Sequence, residues 1–285
     1  MEIALLAGAV VAVVSVVLAA ALPVGDDKRT SLARAFAYKV DLAPRADLVQ
    51  ALGRRLERRA RIGWGTYGVG LGFYIASLAW LPGSEVASAI RLLAFWAVVQ
   101  LGRGLGALTV QTVDDHGGQR PRAAHLASPS LFDFVTPVEV WWTRTSALAA
   151  VAVVAYTAVG GNAAQRGAAL ALLAACVTGW ALIELAVLFV VRSRPEASDV
   201  QSLAFDDALR AESLRALLFA AASPLIAVSM AGDGIGLPSR ASNLLVAAFA
   251  AGLVPLAWAG SQRAKQRFRR RLWGTPVTDP STLSR

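Results

Sequence analysis

Two carboxylates and two histidines form the most reactive-looking stretch of this chain: Asp114, Asp115 and His116 stand together, and His125 follows. Carboxylate oxygen and imidazole nitrogen ligate divalent metals and carry out acid–base catalysis. No further ligand pair stands at a defined spacing, so the plain expectation is a solvated loop rich in Gly, Pro and Arg. A membrane enzyme centred on Asp114, Asp115 and His116 is the minor alternative. A second candidate is Glu184, the one carboxylate well inside a long apolar stretch. A charge in hydrocarbon is costly and calls for a partner. Counting names Arg144: the turn between the two helices centres near Ala164, 20 residues from each, so an antiparallel hairpin brings both to one depth. The first expectation is an ion pair that locks the helices, and the second a proton or substrate relay. Gly63, Gly65 and Gly68 also spell the dinucleotide fingerprint. That fingerprint works between a strand and a helix, and here it opens an apolar helix, so it is read as glycine packing. The single cysteine, Cys176, rules out an internal disulfide framework. No cofactor is expected.

The elements that must position these residues are apolar. The chain has 285 residues, 56% of them hydrophobic and only 16% charged. Seven stretches read as transmembrane helices, at about 3–23, 62–82, 86–102, 145–163, 167–190, 216–232 and 241–261. Each is continuously apolar and does not alternate, and most are long enough for a hydrocarbon core of about 30 Å. The fold class expected is therefore all-α, a polytopic helix bundle forming a single membrane domain. Small-residue pairs such as Gly68/Gly72 and Gly102/Gly106 allow the close backbone approach by which helices associate in lipid. Ser223-Pro224 and Pro255 interrupt the last two stretches, where proline removes a backbone hydrogen bond.

Charge sets the expected orientation. Lys and Arg number 28, and 25 of them fall in 26–61, 103–144, 192–215 and the tail 263–285; Arg91, Arg166 and Arg240 lie elsewhere. Positive loops stay inside, so the N-terminus is expected outside, those loops in the cytoplasm, and the protein in a bacterial inner (plasma) membrane. The first stretch has Glu2 before it and Lys28 and Arg29 after it, the charge order of an uncleaved anchor. Arg91 is expected near the outer surface with its side chain snorkelling out.

The segment 26–61 is patterned as two basic amphipathic helices. Leu32, Phe36 and Val40 recur every four residues, and after Pro44 so do Leu48, Leu52 and Leu56, set among Arg54, Arg55, Arg58 and Arg59. Such helices lie in lipid headgroups or bind a cytoplasmic partner. The tail cations Arg263, Lys265, Arg267, Arg269, Arg270 and Arg271, followed by Trp273, read as a clamp on anionic lipid headgroups. Nucleic acid is not expected.

The stretch Leu203-Ala204-Phe205-Asp206-Asp207-Ala208-Leu209-Arg210-Ala211 resembles one found in uncharacterised actinobacterial multi-pass membrane proteins, and the Arg269–Trp273 run is similar too. Genes for those proteins often neighbour ABC transporter components. The resemblance implies an accessory membrane subunit beside a transporter. The expectation taken from this and from the loop residues is a subunit, not itself an enzyme, that docks a transport system through Arg54, Arg55, Arg58, Arg59, Asp206 and Asp207. The alternative is a small permease with Glu184 and Arg144 in its path.

Overall fold

The computed structural model describes residues 10, 13–14, 16, 25–40, 42, 44–80, 83–112, 129–193, 200–259 and 267–272. Ten α-helices are described in full: α1 (Asp26–Val40), α2 (Ala46–Trp80), α3 (Glu85–Thr112), α4 (Leu131–Phe134), α5 (Pro137–Gly160), α6 (Ala163–Arg192), α7 (Val200–Ala221), α8 (Ser223–Met230), α9 (Ser239–Ala259) and α10 (Arg267–Leu272). Positions 10, 13, 14 and 16 are also helical, while the rest of the first apolar stretch lies outside the described residues. Among the described residues, four segments are long and apolar enough to cross a membrane: Glu85–Gly102, Pro137–Gly160, Ala163–Arg192 and Val200–Met230. The molecule is an all-α, multi-pass helical bundle.

Local chemistry explains where the helices start and stop. The α5 start is fixed by a capping box: the Thr136 hydroxyl accepts the Glu139 amide, and the Glu139 carboxylate accepts the Thr136 amide. Pro137 at the first helical position has no N–H to leave unpaired. This cap begins the helix well ahead of the expected 145, because Glu139 serves the helix end and does not break it. Asn162 and Gln165 form the matching box for α6, so the hairpin turns at Gly161 and Asn162.

The segment 26–61 departs from expectation in two ways. Its second helix does not stop before the membrane stretch, because α2 runs unbroken from Ala46 to Trp80. Its apolar stripe does not face lipid or a partner either: Phe36, Val40 and Leu52 are buried in one core with Phe205, Leu209 and Leu214 of α7. The Phe36 and Phe205 rings lie 6.5 Å apart. Gly53 permits the tight crossing of α1 on α2, since a Cβ there would sit 2.8 Å from the Arg29 carbonyl oxygen.

The sixth stretch is also longer than its hydropathy. Its helix starts at Val200 rather than 216, and Ser202–Ala211 is buried throughout. The helix breaks at Ala222, and α8 starts at Ser223. Pro224 has no N–H for the Ala220 carbonyl, and the Ser223 hydroxyl supplies a replacement at 2.7 Å. At Pro255, by contrast, α9 continues without a break. Two cores result: one gathers α1, α7, α10 and the end of α6, and the other gathers α3, α5, the first half of α6 and α8.

Candidate functional site

The charged side chains converge on α7. Arg55 of α2 donates to Asp206 at 3.0 Å, Arg59 donates to Glu212 at 3.0 Å, and Lys39 of α1 also pairs with Glu212. Glu57 accepts from both Arg29 and Arg61, clamping α1 onto α2. The hydrogen bond to Glu57 holds the Arg29 guanidinium above its usual pKa. Asp206 and Asp207 are wholly buried, and Arg210 beside them is 1% exposed. Further along α7, Arg215 donates to Glu139 of α5 at 3.2 Å and to the Phe134 carbonyl of α4 at 3.3 Å. We call this set of pairs the ionic junction.

The junction corrects the expected docking surface. Asp206 and Asp207 are buried and not presented at a surface: Asp206 pairs with Arg55 of α2, and Arg210 of their own helix lies beside both. Arg55 and Arg59 are committed to α7. Arg54 is exposed and Arg58 half-buried. The tail clamp changes in the same way. Phe268 enters the core, Arg269 is buried, and Arg267 donates to the Phe132 carbonyl at 2.8 Å, which leaves Arg271 exposed. Arg263, Lys265 and Trp273, and the side chain of Arg270, lie outside the described residues. Arg91 is also buried, at 3% exposure, rather than snorkelled to a surface.

Arg144 and Glu184 are brought together. Arg144 Nε lies 2.8 Å and its Nη2 2.7 Å from the two oxygens of Glu184, a bidentate fork. The Trp180 indole N–H adds a third bond to Glu184 Oε1 at 3.3 Å. Trp180 was not singled out from sequence, although its spacing of four residues before Glu184 on a helix is the signal that identifies it.

Next to Trp180 is a cavity of about 210 Å³ between α3, α6 and the Ser223-Pro224 break. Leu93, Ala97, Cys176, Gly179, Ile183 and Pro224 are among its walls, and Trp180 forms one side. Both polar groups nearest the break, the Ser223 hydroxyl and the Trp180 N–H, have partners in the protein.

Of the remaining candidates, the glycine fingerprint lies within the described residues and the Asp–His loop does not. Gly63, Gly65 and Gly68 lie in the middle of α2, with helix on either side and no strand before them. Asp114, Asp115, His116 and His125 lie outside the described residues. Among the described residues no three His, Cys, Asp or Glu side chains gather as metal ligands. Comparison of the chain with protein-family models, curated proteins and solved structures finds no match.

Proposed function

We propose that the chain is a non-catalytic accessory subunit of a membrane transport assembly, of the ABC type implied by the sequence resemblance. In this reading it crosses the plasma membrane seven times with its N-terminus outside, and the ionic junction is a rigid cytoplasmic platform. The supporting observation is how the basic helices divide their side chains. Arg55 and Arg59 turn inward to α7, and Lys39, though exposed, pairs with Glu212, while Arg34, Tyr38 and Arg54 stay exposed, Tyr38 at 87%. Exposed arginines and an aromatic residue, carried on helices held by ion pairs, suit an acidic partner surface. Arg271 adds a contact for anionic headgroups.

The permease alternative draws less support. Both oxygens of Glu184 are occupied by Arg144, so the carboxylate is used to join α5 to α6. The adjoining cavity is walled mostly by carbon and offers a polar solute little to replace its hydration.

The test is recovery of the tagged protein from its native membrane in mild detergent, with mass spectrometry of what stays bound. A stoichiometric ATPase and permease are expected, and Arg34→Glu with Arg54→Glu should reduce their recovery at least tenfold without reducing membrane insertion. Recovery of the chain alone would sink the reading.

A further inference from the structure

We infer that the cavity at the Ser223-Pro224 break is a binding site for a single hydrocarbon chain of a lipid. This rests on the cavity alone and is independent of the docking reading above.

The lining selects the ligand class. Leu93, Ala97, Ile183 and Pro224 present alkyl carbon, and Trp180 presents an aromatic ring. The Ser223 hydroxyl is spent on the Ala220 carbonyl and the Trp180 N–H on Glu184, and beyond these the lining adds only the Thr178 hydroxyl and the Cys176 thiol. A charged or strongly polar solute entering here would lose its hydration without replacement. Water fares little better, because an ordered buried water needs two to four polar partners. Left empty, the space forfeits the dispersion contacts its walls would otherwise make. An alkyl chain restores them.

Position selects the source. All the helices that wall the cavity belong to segments able to cross a membrane. Gly179 lies 16 residues after Ala163 and 13 before Arg192, near the middle of α6, about 24 Å and 20 Å from its two ends at 1.5 Å per residue. In a hydrocarbon core about 30 Å thick this is mid-depth, where chains and not headgroups are the surrounding medium. Leu182 belongs to the lining and is 45% exposed, so the cavity opens sideways, along the flank of α6. Its far wall is closed: Cys176 is 0% exposed, Ile183 3% and Leu93 8%. Lipid that merely coats the bundle does not reach those three side chains, but a chain seated in the cavity touches them.

That difference defines the experiment. The full chain is reconstituted in vesicles of phosphatidylcholine and phosphatidylglycerol containing a trace of phospholipid with a diazirine near the end of one acyl chain. Labelled sites are mapped after illumination. The expected result is labelling of Cys176, Leu93 and Ile183 that saturates with probe concentration, against a linear rise at exposed Leu188 on the same helix. Gly179→Phe should block the cavity, since a Cβ there meets nothing within 4 Å. It should reduce labelling of the three buried positions about tenfold and leave Leu188 unchanged. Labelling confined to exposed positions, or buried labelling that rises linearly and ignores Gly179→Phe, overturns the proposal. Should that variant fail to insert, the saturation curve of the wild type decides alone. Running the same diazirine chain as a free fatty acid separates the two sources: saturation by the phospholipid probe assigns a membrane lipid, and saturation by the free acid alone assigns a fatty acid.

Discussion

The ionic junction and the apolar bundle solve one problem, holding long helices side by side, by different means. In the junction the helices meet through the ends of long charged side chains, Arg55 to Asp206, Arg59 and Lys39 to Glu212, Arg29 and Arg61 to Glu57. In the bundle they meet through missing side chains. Gly102 of α3 lies so close to Thr66 of α2 that a Cβ would fall 2.0 Å from its Cγ2, and Gly252 of α9 sits against the Trp142 ring. Among the described residues, Arg144 and Glu184 are an exception in the bundle, an ion pair inserted between α5 and α6, which are otherwise joined mainly by Ala, Val and Leu. The two devices fail differently. A junction helix that loses one charge strands the other, whereas a bundle helix that loses a methyl leaves only a gap. Directional pairs fix which helix goes where, and small residues set how near it comes.

The largest expected effect is therefore in the junction. Asp206→Ala removes a carboxylate with 0% exposure and strands Arg55, and Arg210 loses a neighbouring negative charge. Breaking a buried pair from one side costs about 3–5 kcal/mol. The double variant Arg55→Leu with Asp206→Leu should cost less than Asp206→Ala alone, since apolar residues of similar volume replace a buried pair at little penalty. Thermal unfolding of the detergent-solubilised protein measures both. If the double variant is the less stable one, the junction is held by packing and the contrast with the bundle disappears.

Much of the bundle is legible in the sequence because its signals are local. Continuous apolar runs mark the helices, although a reading by hydropathy starts α5 at 145 and passes over the capping box in Thr136-Pro137-Val138-Glu139. Equal counting from a turn pairs Arg144 with Glu184 across 40 residues. The junction resists the same reading because its partners are remote: Arg55 and Asp206 are 151 residues apart. The Leu32, Phe36, Val40 stripe records that one face wants burial and says nothing of what buries it, so lipid, a partner and α7 fit it equally. A cluster of cations at 54–59 likewise looks like an outward surface until the carboxylates of α7 are placed against it. Hydropathy also fails for Arg91, since an isolated charge in an apolar run carries no record of which side of its helix faces the interior. The cavity is not written in any single segment, because three elements make it by failing to fill the space between them.

Shape-based contact in the bundle predicts a smaller effect with an internal control. Gly102→Ala forces a Cβ into Thr66 and should destabilise by about 1–3 kcal/mol, the usual cost of overpacking. Gly65→Ala, on the neighbouring α2, adds its methyl where nothing lies within 4 Å. Replacing a helical glycine in open space should be neutral or gain about 0.5–1 kcal/mol. Equal melting temperatures for the two variants would show that close approach at Gly102 is not what joins α2 to α3.

The smallest effect tests a second place where the bundle relies on a polar contact, as the junction does. At the α7–α8 break a hydroxyl, not shape, satisfies a stranded group, the Ala220 carbonyl. Ser223→Ala should cost about 1 kcal/mol, the net worth of one such hydrogen bond. Pro224→Ala supplies the N–H that the carbonyl lacks, so the loss should vanish when both changes are combined. A double-mutant cycle by thermal unfolding reads this directly, because the two residues act on one acceptor and their effects cannot add. Additive losses would mean that the carbonyl is satisfied from elsewhere and that the break is set by packing around the cavity. Recovery in the double variant would place the break under local hydrogen bonding, and the straightened helix should then take less lipid chain into the cavity.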